Sequence, residues 1–185
     1  MNEDQKNTIY VGPTGSGKTY DYIRPDIINV ANHKANMVVT DVNDNLYKST
    51  LNTLQDKAYE IQKINLASDD NNTLNIDPAW VYSGKKRILF IELATHTDRT
   101  QNNSTILNDI LQYGLDKANT DIPVLFVLDE FEQIDEMDSA FQVLTEGHKH
   151  NMSVVMTMQS MDTLKDAYKD ILDNEACISI KKIGE

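Results

Sequence analysis

Short apolar runs rich in β-branched residues recur along the chain at Thr8–Val11, Met37–Thr40, Ala58–Ile64, Ile88–Leu93, Val124–Leu128, Ser153–Met158 and Ala176–Ile180. Longer stretches of helical period separate several of them. The alternation predicts an α/β fold, a mostly parallel central sheet covered by helices. Several runs are apolar on both faces, as central strands are, whereas Glu92 in Ile88–Leu93 points that strand toward an edge.

A first helix is expected from Gly17 to about residue 32, kinked or divided by Pro25. A second spans Asn103–Lys117, with Ile106, Leu107, Ile110, Leu111 and Leu115 in one stripe. A third covers Asp135–Glu146, with Gly147 as its stop. A fourth starts after Ser160, its N-cap, and turns Met161, Leu164, Tyr168, Ile171 and Leu172 inward. Residues 65–87 are polar and turn-rich and read as a loop or small insertion within a single domain covering 1–185.

Among 185 residues, 29 Asp plus Glu face 17 Lys plus Arg, for a net charge of −12. That length is ample for one continuous core. The charge excludes a freestanding domain that grips nucleic acid by blanket phosphate neutralisation. Arg24, Arg87 and Arg99 are the only arginines, so bidentate phosphate clamps are scarce. The single cysteine, Cys177, excludes an internal disulfide and a four-cysteine zinc site and reads as a buried core thiol. His33, His96 and His150 are dispersed without metal-site spacing. The acidic start MNEDQKN is not a secretory signal, and no window approaches the ~20 apolar residues of a membrane span. A cytoplasmic location is expected, peripheral at the inner face of a membrane through partners, with no membrane insertion by this chain. The chain ends directly after its last predicted strand, as a portion of a longer protein would.

The chemistry concentrates at three places. Gly12-Pro13-Thr14-Gly15-Ser16-Gly17-Lys18-Thr19 satisfies GxxxxGK[ST] between a predicted strand and a predicted helix. Gly15 and Gly17 permit a tight turn whose N–H groups face phosphates, Lys18 reaches the β/γ-phosphates and Thr19 holds Mg²⁺. With Tyr20 following, residues 12–20 form the expected ATP site. Val124–Leu128 then delivers Asp129 and Glu130, the first placed to orient magnesium-bound water beside Thr19, the second to act as general base. Finally, Val154–Met158 ends in Gln159 and Ser160. Gln159 is a candidate γ-phosphate sensor, although the two side chains equally suit a strand end and a helix cap.

The P-loop GPTGSGKT with its continuation YDYIRPDI resembles the TraG-type coupling ATPases of conjugative type IV secretion. So do VVTDVNDNLY, INLASDDNNTLNIDP, VLFVLDEFEQI and VVMTMQSMDTLKDAY. The resemblance implies a three-layer, RecA-like P-loop NTPase, commonly hexameric, that uses ATP and Mg²⁺ to pass DNA or protein to membrane secretion components. Carried residue by residue, it makes Lys18 and Thr19 the phosphate and Mg²⁺ contacts, Asp129 and Glu130 the acidic pair, and Gln159 the sensor. The chain departs from the family in lacking room for membrane helices before the P-loop and for an all-helical insertion. Val42 and Asn43 replace a common proline and lysine, and His148 stands where the family often has an arginine that acts across a subunit boundary. Arg99 is either a substitute finger or a solvent-facing residue beside Asp98. ATP hydrolysis coupled to macromolecule delivery leads. A nucleotide-binding adaptor with weak or no turnover is the alternative, and a small-molecule kinase fits less well because no arginine-rich lid is visible.

Overall fold

A computed structural model describes residues 7–66, 76–94, 100–116, 121–134, 137–163, 168–169, 172 and 178–184. Among them, seven strands form one sheet: β1 (Asn7–Val11), β2 (Asn36–Asp41), β3 (Glu60–Asn65), β4 (Arg87–Glu92), β5 (Val124–Leu128), β6 (Met152–Met158) and β7 (Ile178–Lys182). Their order is β3-β4-β2-β5-β6-β1-β7 and every neighbouring pair is parallel. β4, the strand containing Glu92, lies one position in from the β3 edge.

Side-chain alternation explains the layering. Met37 and Val39 of β2, Ile88 and Phe90 of β4, and Leu125 and Val127 of β5 bury themselves on one face. Val38, Leu89, Ile91, Val124, Phe126 and Leu128 bury themselves on the other. The first face is covered by α1 (Arg24–Asn32) and α2 (Asn45–Asp56) through Ile27, Ala31, Leu46 and Leu54. The second is covered by α3 (Pro78–Tyr82), α4 (Thr100–Asp116) and α5 (Asp138–Glu146) through Val81, Leu107, Leu111, Phe141 and Leu144. Helix, sheet and helix make three layers, and two-sided burial is what makes the inner strands apolar throughout.

Several elements differ from their sequence expectation. The helix after the P-loop is divided at the expected place: a π-helical segment, Lys18–Ile23, leads into α1, whose first turn holds Pro25. Proline has no N–H to give the ladder, and in a first turn none is required. Two helices arise where none or only a loop was expected, α2 and, inside 65–87, α3. The third strand begins at Glu60 because Ala58 takes a left-handed turn with φ 60°. Gly147 is not a left-handed stop. Its backbone stays right-handed and continues into a 3₁₀ turn, Gly147–His150, which ends at left-handed Asn151. Glycine is required there by packing, since a Cβ would lie 2.6 Å from Val143 Cγ1 and 2.8 Å from the Met152 carbonyl oxygen. After Ser160, whose hydroxyl accepts from Asp162 N–H at 3.1 Å, the chain forms a 3₁₀ turn, Met161–Thr163. Tyr168 and Leu172 are buried as expected, while Leu164, Ile171, Ala176, Cys177, Arg99 and His96 lie outside the described residues. The last strand runs to Lys182, two residues beyond its expected end.

Candidate nucleotide site

The sheet topology places the candidate residues together. β6 lies between β1 and β5, with Val11 opposite Met158 and Leu128 opposite Met156. The carboxyl ends of these strands are therefore level, and the loops leaving β1 and β5 face one another across β6, as ligand sites of parallel sheets do. Gly12 N–H donates to the Met158 carbonyl at 3.1 Å, tying the start of the P-loop to β6.

Within the loop, Gly15 and Gly17 adopt φ of 80° and 83°, conformations that side-chain-bearing residues rarely take. Gly12 is glycine for a different reason: a Cβ would stand 2.4 Å from the Ile183 carbonyl oxygen, because Ile183 N–H donates to Val11 O at 2.8 Å and carries the chain past the loop. The Lys18 ammonium is buried against the loop, donating to the carbonyls of Gly12 at 2.5 Å and Pro13 at 3.0 Å.

Asp129 follows β5 and is buried. Its Oδ2 accepts from the Thr19 hydroxyl at 2.9 Å and its Oδ1 from the Thr157 hydroxyl at 2.6 Å. The Thr157 oxygen in turn accepts from Glu130 N–H at 2.8 Å, and Thr40 donates to the Asp129 carbonyl at 3.1 Å. Glu130 is left-handed at φ 51° and ψ 56°, a conformation that costs about 1–2 kcal/mol in a non-glycine residue. Thr157 and the 3₁₀ turn Phe131–Gln133 that follows hold it there.

Burial raises the pKa of Asp129, against the opposing effect of its two threonine donors. The Glu130 carboxyl is raised as well, first by burial, then by the charges of Asp129 and Glu132, with Lys18 opposing. Asp41 is also raised by burial, although its carboxylate accepts from Asn45 N–H at 3.0 Å and Tyr47 N–H at 2.9 Å and so caps α2.

Thr14, Gly15, Ser16, Gly17, Lys18, Thr19 and Tyr20 line a cleft of about 250 Å³ with Glu130, Glu132, Thr157 and Gln159. Gln159 stands at its exposed rim, where its backbone N–H donates to Glu132 Oε1 at 3.1 Å. The buried Ser16 hydroxyl and Glu132 Oε2 have no hydrogen-bond partner among the described residues. An orphaned donor, two left-handed glycines and a buried lysine suit a phosphate chain, while the Thr19 hydroxyl and the Asp129 carboxylate are hard oxygen ligands of the kind Mg²⁺ takes. Sequence reasoning missed Thr157 and Glu132. His148 is exposed in the turn before β6, at the amino end of a strand whose carboxyl end bears the site, so it does not reach the cleft of its own chain.

Two family models bracket this constellation. Type IV secretory system conjugative DNA transfer matches residues 1–77, and the TraM recognition site of TraD and TraG matches residues 123–180. Over these two segments the chain is similar to the TraG/TraD-type coupling proteins of conjugation. This family is related to type IV secretion system proteins and has a RecA-like P-loop core, the fold seen here. The bacterial conjugative coupling protein TrwB, in an unbound form, superposes with a TM-score of 0.64 at 12% identity, over 96% of this chain and 68% of that one. The genome packaging NTPase B204 from Sulfolobus turreted icosahedral virus 2, in complex with ATP-gammaS, gives a TM-score of 0.54 at 14% identity, over 92% and 72%. The cytoplasmic domain of EssC gives 0.57 at 12% identity, over 97% of this chain and 31% of that one. At these identities the likeness is one of fold. No curated protein sequence matches the chain. Among the described residues no helix is long and apolar enough to cross a membrane.

Proposed function

We propose that this chain is an ATPase core whose Mg²⁺-dependent turnover drives delivery or translocation of DNA or protein in a conjugation-like secretion system. The observation that carries this reading is the chain of contacts Thr19–Asp129–Thr157–Glu130 facing the P-loop cleft. Mg²⁺ held by Thr19 and Asp129 would neutralise charge on the transferred phosphoryl group. Lys18 leaves its two loop carbonyls for the β/γ-phosphates. Glu130, rigid on its left-handed turn, accepts the proton of the attacking water, and its raised pKa makes it a stronger base than an ordinary glutamate. Gln159 senses the γ-phosphate from the rim.

Among the described residues, the cleft is lined by one cation, Lys18, against the carboxylates of Glu130 and Glu132. A positive group from a neighbouring copy would balance them, which favours a homo-oligomer, with a hexamer the family's common form. The chain's charge of −12 supports a reading in which an oligomer lumen or a protein adaptor contacts the substrate and the secretion components hold the membrane. The same shortage of cations favours the second reading, a nucleotide-binding adaptor with weak turnover in isolation.

ATP turnover per chain, measured across protein concentration with and without DNA, separates the two. The motor reading predicts a rate per chain that climbs steeply as copies associate. A negligible rate at every concentration, with ATP still bound, supports the adaptor. Absence of DNA binding at low salt would remove direct DNA handling by this chain.

A further inference from the structure

The cleft between P-loop and acids encloses about 250 Å³. Pockets that bury a whole drug-sized ligand run to ~300–1,000 Å³, so a nucleoside triphosphate would leave its base at the rim. Of the described residues lining the cleft, Tyr20 alone is aromatic. It follows Thr19 directly and is 66% exposed, the most open of the large apolar side chains among the described residues; the other exposed one, Ile180 on edge strand β7, is 41% exposed. The ring is braced: the Arg24 guanidinium stands 5.4 Å from its centroid, and Arg24 Nε donates at 3.4 Å to the Ser49 carbonyl of α2. A cation held against an aromatic ring fixes the ring's orientation in a way that solvent does not.

We infer that Tyr20 is the base platform of this site, the flat face on which the base of a purine nucleoside triphosphate stacks once its phosphates occupy the P-loop. The inference rests on the nucleotide reading above and deepens it by naming the substrate class. Stacking responds to the area of the base and not to the hydrogen-bonding groups on its edge, so ATP and GTP bind alike and CTP binds more weakly. Tyr20 thereby acts on affinity for the base, whereas the backbone around it serves the phosphates.

Isothermal titration calorimetry of the full chain with MgATP, MgGTP, MgCTP and inorganic tripolyphosphate tests this, using wild type, Tyr20→Ala and Tyr20→Phe. Tyr20→Ala is expected to weaken ATP about fivefold or more and to leave tripolyphosphate within about twofold, the lower bound being that of one lost base–aromatic stack. Tyr20→Phe, which keeps the ring, is expected to retain ATP affinity. Equal ATP affinity for Tyr20→Ala and wild type, or a parallel loss of ATP and tripolyphosphate, would overturn the platform while leaving the phosphate site in place. Binding of neither ATP nor tripolyphosphate by wild type would contradict the nucleotide reading itself, and the platform with it.

Discussion

Thr157 donates to Asp129 Oδ1 at 2.6 Å and, through the same oxygen, accepts from Glu130 N–H at 2.8 Å. One buried hydroxyl on β6 thus fixes both the carboxylate assigned to the metal and the backbone of the proposed general base. The two acids are adjacent in sequence, but their side chains must perform different tasks. The strand between them and the P-loop supplies the common reference.

Replacing Thr157 with Val keeps the shape and removes both bonds. A buried donor left unpaired costs about 1–3 kcal/mol, so the variant should lose stability on that order. Turnover should fall and the Mg²⁺ concentration for half-maximal rate should rise, because Asp129 loses its orienting donor. Thr157→Ser keeps the hydroxyl and should recover the Mg²⁺ dependence. A stability loss with unchanged Mg²⁺ dependence would show Thr157 to be structural only.

The pH–rate profile carries a second test. Glu130 must be deprotonated to accept a proton, and burial, Asp129 and Glu132 all raise its pKa. The acid limb of kcat/KM, which reports the free enzyme, should therefore lie above the pH of an ordinary glutamate. Glu132→Gln removes one of these negative charges and should move that limb to lower pH. An unmoved limb, or one displaced upward, would contradict the assignment of Glu130 as the titrating base.

Stability should show the reverse side of the same electrostatics. Asp129 is raised by burial, so the folded chain holds its proton more tightly than the unfolded one. Its contribution is fully present below the unfolded aspartate value and is lost as pH rises through the folded value. Asp129→Asn removes that loss. In ligand-free protein its melting temperature relative to wild type should increase as pH rises from the ordinary aspartate range through the raised value of the folded state. Thermal melts across this range check the sign; a relative decrease would mean that the ionised form is the one the fold prefers.

The P-loop glycines separate two reasons for glycine. A methyl group added at Gly15 would meet open space on a left-handed backbone, so Gly15→Ala should cost only the ~1–2 kcal/mol of that conformation. Gly12→Ala drives its methyl into the Ile183 carbonyl and should cost more, with the chain after β7 displaced from the P-loop. Chemical denaturation of both variants ranks them; equal losses would contradict the close approach of Ile183.

The inner strands were legible because two-sided burial keeps them largely apolar, and Val124–Leu128 matches its sequence expectation residue for residue. α2 was not, for two physical reasons. Its buried stripe is Leu46, Thr50 and Leu54, with a polar residue at the centre whose hydroxyl is satisfied by the Leu46 carbonyl at 2.6 Å. Its start is capped by Asp41 at the end of β2, whereas Asp44 at the N-cap position makes no side-chain cap. α3 did leave a signal, Asp77 followed by Pro78, which read as a turn inside a polar tract; Asp77 accepts from Ala79 N–H at 3.0 Å as an N-cap. Thr157 resembled any β-branched strand residue. Its role depends on the register that sets Leu128 opposite Met156, and register between strands distant in sequence is not written in either strand alone.

If Glu130 activates water for hydrolysis of a nucleotide held by the P-loop, turnover depends on its carboxylate while binding does not. Steady-state MgATP turnover of Glu130→Gln beside wild type, at a concentration where wild type is active and with ATP binding verified for both, tests it most directly. Binding should be unchanged and the rate at least about 100-fold lower, the contribution of a positioned general base. Equal rates in the two proteins would contradict it.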